Sequence, residues 1–208
     1  MDSDPRAERQ ADDARHRQVS AAVRALIAEQ GLQISMDAVA ARAGCSKQTL
    51  YARYGSKRAL LLRVVSDGLA TARLPPVPTA ATLRPSLVAF AEEHLARLSE
   101  PAAVGAARLV TAQALQFPED IAALYEGYVG TLQGCLAGWL QQAMRRGLLR
   151  HDDPHYAAEL LLGMIVGLDF DRQRHLVAHR ASPEARSQWA HFAVDSFLRA
   201  FAPPSPLS

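Results

Sequence analysis

Ile34–Leu62 reads ISMDAVAARAGCSKQTLYARYGSKRALLL, and its spacing decides the fold. Two short apolar-periodic segments, Met36–Ala43 and Lys47–Arg53, flank Gly44-Cys45-Ser46. Gly44 can take the positive φ that a sharp exit from a helix requires, and Ser46 can cap the next helix by accepting a backbone N–H bond. Val39, Ala40 and Leu50 are spaced to face one another across the turn, and the small Ala40 and Ala43 let two helices approach closely. That is the layout of a helix-turn-helix.

In such a motif the first turn of the second helix presents side chains to base edges, and here it carries Lys47, Gln48 and Thr49. Lysine and glutamine reach major-groove donors and acceptors, and threonine offers a hydroxyl and a methyl. Tyr51, Tyr54 and Lys57 on the flank suit phosphates, which fix register without reading sequence. The run VAARAGCSKQTLYARYGSKRALL, with Gly31 and the MDAVA segment upstream, resembles the N-terminal domain of the TetR family of bacterial transcriptional regulators. The matching positions are Ala40, Gly44, Thr49-Leu50-Tyr51, Tyr54 and Ser56-Lys57. Cys45 departs from the family's usual valine or other small apolar residue and should pack similarly. The full set of expected DNA contacts is Ser35, Met36, Ser46, Lys47, Gln48, Thr49, Tyr51, Arg53, Tyr54 and Lys57.

Charge agrees with a polyanionic partner for this part of the chain. From Ala14 to Arg63 there are nine Lys/Arg against two acids, Glu29 and Asp37, a net of +7; with +2 overall, the remainder sums to −5. The hydrophobic content of 49%, rich in alanine and leucine, favours helices over 208 residues, enough for one large or two smaller cores. No apolar run approaches the roughly 20 residues that span a bilayer. The polar start MDSDPRAERQADDARHR is unlike a signal peptide, and the two cysteines have no paired spacing, so a reduced cytoplasm is expected.

Taken in order, residues 1–12 read as a flexible tail, whose Arg6 and Arg9, with Arg15 just beyond, form either a solvated segment or a minor-groove arm. A first helix is expected from Asp13 to Gln30, burying Val19, Ala22, Val23, Leu26 and Ile27, with Gly31 as its stop. The DNA-binding domain spans 13–58, and a linking helix capped by Ser56 spans 56–73. Pro75-Pro76-Val77-Pro78 interrupts the pattern and sets a linker at 74–82. Helices come next at Leu83–Leu98, Pro101–Gln116, Pro118–Arg146, Pro154–His179 and Pro183–Phe201, the four prolines standing where a missing N–H is tolerated. Residues 202–208 form a second tail. The expected fold is all-α: a three-helix DNA-binding domain joined by a fourth helix to a larger helical effector-binding and dimerisation domain at 83–201.

That second part is similar to the AefR-like type of TetR effector domain. The likeness lies in FAEEHLARL, RLVTAQALQFPED, LYEGYVGTLQGCLAGWLQQAMRRGLLRHDDPHYAAELLLGMIVG and HFAVDSFLRAF. It implies a helical domain and names no ligand. Ile121, Tyr125, Tyr128, Leu132, Cys135 and Trp139 recur at spacings of three and four, either as plain core or as one wall of an apolar cavity. His94 follows Phe90 by four, Gln113 stands between Leu109 and Phe117, and Asp169 follows Ile165 by four. Each is either a satisfied buried polar group or an orienting contact. The candidate effector contacts are Phe90, His94, Gln113, Phe117, Tyr125, Tyr128, Leu132, Trp139 and Asp169.

Two further apolar faces, around Leu161, Leu162 and Ile165 and around Trp189, Phe192 and Phe197, read as a dimer surface, and the resemblance implies a four-helix interface there. No phosphate loop, catalytic triad spacing or CxxC pair is present, and His151/His155 and His175/His179 read as solvated surface rather than zinc ligands. No cofactor and no metal are expected. The expected function is a homodimeric repressor of a near-palindromic operator, released by a small apolar or aromatic effector. A constitutive dimeric binder is the alternative. From another class, an all-α enzyme or scaffold with a fortuitous basic front is the third reading.

Overall fold

A computed structural model describes residues 5–68, 78–177 and 180–203. Every regular element among them is helical. The chain forms two compact units, one from Met1–Gly68 with Ala106–Gly127, the other from Leu69–Gly105 with Tyr128–Ser208.

In the first unit, α1 (Pro5–Gln30) leads through a 3-10 turn at Gly31–Gln33 into α2 (Met36–Ala43), α3 (Lys47–Tyr54) and α4 (Lys57–Gly68). Ser35 Oγ accepts from the Ala38 N–H at 3.0 Å, Ser46 Oγ from Thr49 at 3.0 Å, and Ser56 Oγ from Ala59 at 3.1 Å. Each helix therefore starts at a defined residue. Gly44 takes φ +62°, and the Cys45 N–H turns back to the Ala40 carbonyl at 3.0 Å, the closing bond of a Schellman turn. The core gathers Val23 and Leu26 of α1, Ile34, Val39 of α2, Leu50 of α3, and Leu60 and Val64 of α4.

One expectation for this part is corrected. α1 begins at Pro5 rather than near Asp13, with proline in the first turn where its absent N–H costs nothing, so residues 5–12 are helix. The compact units themselves are not consecutive in sequence. α6 (Pro101–Gln113) enters the first unit at Ala106, and α7 (Pro118–Tyr125) packs on α4 there. Leu124 and Ile121 join the core of α1–α4, and Arg58 donates to the Glu119 carbonyl at 3.2 Å and faces Asp120 at 3.5 Å.

The second unit contains α5 (Leu83–Leu98), α8 (Thr131–Arg145), α9 (Pro154–Val166), α10 (Asp169–Arg174) and α11 (Pro183–Ala200). Asp153 caps α9 by accepting from His155 and Tyr156, and Ser182 caps α11 by accepting from Ala185. α11 lies against α5 and α9, and α8 against α9, around Leu87, Leu136, Leu140, Leu161, Ile165 and Phe197. The four helix-initiating prolines stand where their spacing predicts, at the starts of α6, α7, α9 and α11.

Two long helices expected here are divided. The segment from Pro118 to Arg146 contains a π-helical turn at Glu126–Gly130, which interrupts the regular spacing of three and four. The expected apolar stripe is not one face: Leu132 and Trp139 are buried, Ile121 is half-buried, and Tyr125 and Cys135 are exposed. The segment from Pro154 stops at Gly167, φ +55° and ψ −148°, a conformation essentially confined to glycine. A Cβ there would lie 3.1 Å from Trp189 Cζ2, and the Trp189 indole N–H donates to the Ile165 carbonyl at 2.8 Å. The expected linking helix beyond Gly68, Pro75 and Pro76, and His179 lie outside the described residues.

Gly167→Ala should cost about 1–3 kcal/mol from the backbone conformation alone. Thermal unfolding should show a midpoint lowered by roughly 2–10 °C. An unchanged midpoint would mean that the α9–α10 turn does not depend on this glycine.

Candidate nucleic-acid interface

α3 has one buried residue, Leu50, which seats it on the core. With that anchor on one face, Lys47, Gln48, Tyr51 and Ala52 stand exposed on the other. The Ser46 hydroxyl caps the helix and also lies 2.8 Å from Thr49 Oγ1, so the threonine hydroxyl belongs to the cap while its residue remains exposed. Lys47 Nζ donates to Asp37 Oδ2 at 2.7 Å, and this hydrogen bond, with the attraction of the carboxylate, raises the lysine pKa. Arg42 likewise pairs with Glu29 at 2.7 Å. These are exposed pairs, worth little to stability and readily exchanged for phosphate contacts.

The expected DNA contacts divide accordingly. Ser35, Ser46, Lys47, Gln48, Thr49 and Tyr51 share the exposed edge formed by the starts of α2 and α3, and Lys57 is half-buried at the start of α4. Of the other three, Met36 alone is corrected, while Arg53 and Tyr54 are engaged by α1. Met36 is core, because its position on α2 turns it inward beside Val39 and Ala40. Arg53 is held by α1, donating to both carboxylate oxygens of Asp12 and to its carbonyl. Tyr54 packs against the core with its hydroxyl 2.8 Å from His16 Nδ1, and His16 Nε2 in turn lies 3.4 Å from the buried Ser20 hydroxyl. The Asp12–Arg53 and His16–Tyr54 pairs join residues 41 and 38 positions apart, and no local pattern signals them.

The candidate effector contacts divide between the units. In the second, Phe90, Leu132 and Trp139 are core, and His94 stacks on Phe90 with ring centroids 5.8 Å apart. Burial, assisted by the Arg97 cation, pushes the His94 pKa down to about 4. Tyr128 is half-buried and its pKa is raised by burial. Asp169 matches the satisfied buried polar reading: at 2% exposure, it accepts from the Arg180 backbone N–H at 2.9 Å and from Gln173 at 3.1 Å. In the first unit, Tyr125 is exposed and Phe117 lines a shallow concavity with Pro118, Glu119 and Asp120. The Gln113 side chain lies outside those described.

The expected dimer residues also divide. Leu161, Ile165 and Phe197 are fully buried in their own unit, so they hold the chain itself together and cannot meet a second copy. Leu162 and Trp189 are half-buried, and Phe192 is exposed.

Residues 85–203 match the family described as AefR-like transcriptional repressor, C-terminal domain, and residues 19–64 match bacterial regulatory proteins, tetR family. The chain belongs to the TetR family. Similar solved structures include the flavonoid-responsive regulator FrrA, 30% identical over 93% of this chain and 100% of that one, with a TM-score of 0.74. A TetR regulator from Agrobacterium tumefaciens is 24% identical over 91% and 95%, TM-score 0.75. A TetR-family regulator from Pseudomonas syringae pv. tomato is 23% identical over 92% and 98%, TM-score 0.64. The last two bear on the fold alone. No curated protein matches. This TetR-family chain is a DNA-binding transcriptional regulator rather than an enzyme. Among the described residues no helix is long and apolar enough to cross a membrane.

The His94 environment has a pH signature. Above pH 6.5 the imidazole is neutral whether the chain is folded or not; between 6.5 and about 4 the unfolded chain takes up a proton that the folded one refuses. Stability should therefore fall with pH through that window, by on the order of 3 kcal/mol for this group at its lower end. Denaturant unfolding at pH 6.5 and pH 5 should show a smaller loss for His94→Gln than for the parent. Equal losses would contradict the buried neutral histidine.

Proposed function

We propose that this TetR-family regulator is a cytoplasmic repressor that binds a near-palindromic operator as a homodimer and leaves it when a small apolar or aromatic effector binds. The observation that carries the reading is the outer face of α3, where Lys47, Gln48 and Tyr51 project from a helix capped by Ser46 and seated by Leu50. An eight-residue helix reaches few base pairs, so a second copy is needed to add its binding free energy, with reading helices roughly 34–36 Å apart.

Exposed apolar side chains on α9, α11 and the turn before α10 support that pairing. Tyr156, Leu160, Leu168 and Phe192 are 74, 46, 65 and 59% exposed, more apolar surface than a monomer gains by showing to water. Leu162 and Trp189 stand half-buried on the same helices and complete the surface a twin would cover. For the effector, the candidate orienting groups are the neutral His94 imidazole stacked on Phe90 and the half-buried Tyr128 phenol. The response of FrrA to flavonoids supports a planar aromatic class. Release results if the effector favours an arrangement in which the reading helices no longer match successive grooves, by no more than its differential affinity allows.

Mobility shifts on the DNA flanking its own gene test operator reading. Lys47→Ala should weaken specific binding about tenfold or more, as loss of a base contact does; binding that is sequence-independent and indifferent to Lys47→Ala would sink the claim. Phe192→Glu should convert a dimer to a monomer in sedimentation and abolish operator binding, whereas an unaltered dimer would put the interface elsewhere. In a thermal-shift screen of flavonoids and other planar aromatics, at least one compound should stabilise the protein and release DNA. If none does both, the effector part fails.

A further inference from the structure

The side chains of Lys47 and Asp37 meet across the turn of the reading motif, and we propose that they act as one couple that reads a G·C base pair in each operator half-site, lysine on guanine and aspartate on cytosine. This rests on the operator reading above and makes Asp37 a specificity-determining residue.

The geometry places a donor beside an acceptor at the leading edge of α3. Lys47 is the first residue of α3 and Asp37 the second of α2, and their charged atoms lie 2.7 Å apart. Both helix starts are pinned by serine caps, so the backbone beneath the couple is fixed. The side chains are 49% and 68% exposed, a setting in which an ion pair contributes little to stability. Between Ala14 and Arg63 the only other acid is Glu29, which Arg42 occupies. Asp37 places a carboxylate at the leading edge of α3, where a bare negative charge would repel phosphates. Its place makes chemical sense if lysine neutralises it and a base donor receives it.

The major groove supplies that match in one pair better than the other. Guanine offers an ammonium two adjacent acceptors, N7 and O6, and its cytosine partner offers the N4 donor that a carboxylate accepts. Adenine sets its N6 donor beside N7, so an ammonium finds one acceptor and a repelling amino group. Thymine adds a methyl where the carboxylate would approach.

The test uses the full-length chain to select duplexes from a random library. Affinities are then measured for each half-site pair changed between G·C and A·T, with the parent, Lys47→Ala, Asp37→Ala and Asp37→Asn. The parent should prefer G·C about tenfold or more at one pair per half-site, and Lys47→Ala should identify that pair by erasing the preference. Both Asp37 variants should reduce the preference at that pair to about twofold or less while leaving other positions unchanged. They should also steepen the logarithmic salt dependence by about 0.9 per half-site, as the released lysine turns to phosphate. Retention of the G·C preference in both Asp37 variants, or an A·T preference at the Lys47 pair, overturns the proposal. A parent with no preference over random DNA overturns operator reading itself, a distinct result. Unchanged thermal midpoints of the variants keep loss of folding out of the comparison.

Discussion

Gly44 at φ +62° closes α2, and the Cys45 N–H to Ala40 carbonyl bond locks the exit angle that brings α3 back across it. An isolated helix of eight residues is not stable in water, so α3 exists through the Ser46 cap at its start and Leu50 beneath it. With only one residue buried, most of its surface is left to solvent. A side chain with a Cβ at Gly44 would strain the turn, and every feature of the reading edge would move with it.

Around that edge the basic excess is held in exposed ion pairs. Lys47, Arg42 and Arg53 each meet a carboxylate from α1 or α2. Lys47–Asp37 stands on the outward edge. Asp12 of α1 accepts from the Arg53 guanidinium through both the carboxylate and the backbone carbonyl. Tyr54 adds a second tie through His16, which couples the end of the reading helix to α1.

The chain passes from one compact unit to the other more than once. α7 contributes Leu124 and Ile121 to the core that α1–α4 build, while α8 belongs to the second unit, and the π turn at Glu126–Gly130 falls between them. In the second unit, Gly167 ends α9 because Trp189 occupies the space a side chain would need, and Asp169 anchors the segment after it through the Arg180 N–H. The same packing removes Leu161, Ile165 and Phe197 from any external role and leaves Tyr156, Leu160, Leu168 and Phe192 outside.

The amino-acid sequence by itself determined the helix-turn-helix, its glycine exit, its serine caps and the proline starts of four later helices. Each is a local rule, in which one residue type satisfies a φ angle or an orphan N–H within a single turn. The positions of Lys47, Gln48 and Tyr51 on the outer face came from the same periodicity. What tertiary structure alone decided was which apolar and polar residues had been claimed by distant partners. Met36, Tyr54, Asp169 and Phe197 read as outward candidates, and each is claimed by the packing or hydrogen bonds of its own unit. Helical periodicity tells which residues share a face, but not whether that face meets its own chain, a ligand or a second copy. That depends on contacts between segments far apart in sequence, where the pattern of neighbours carries no trace of the partner.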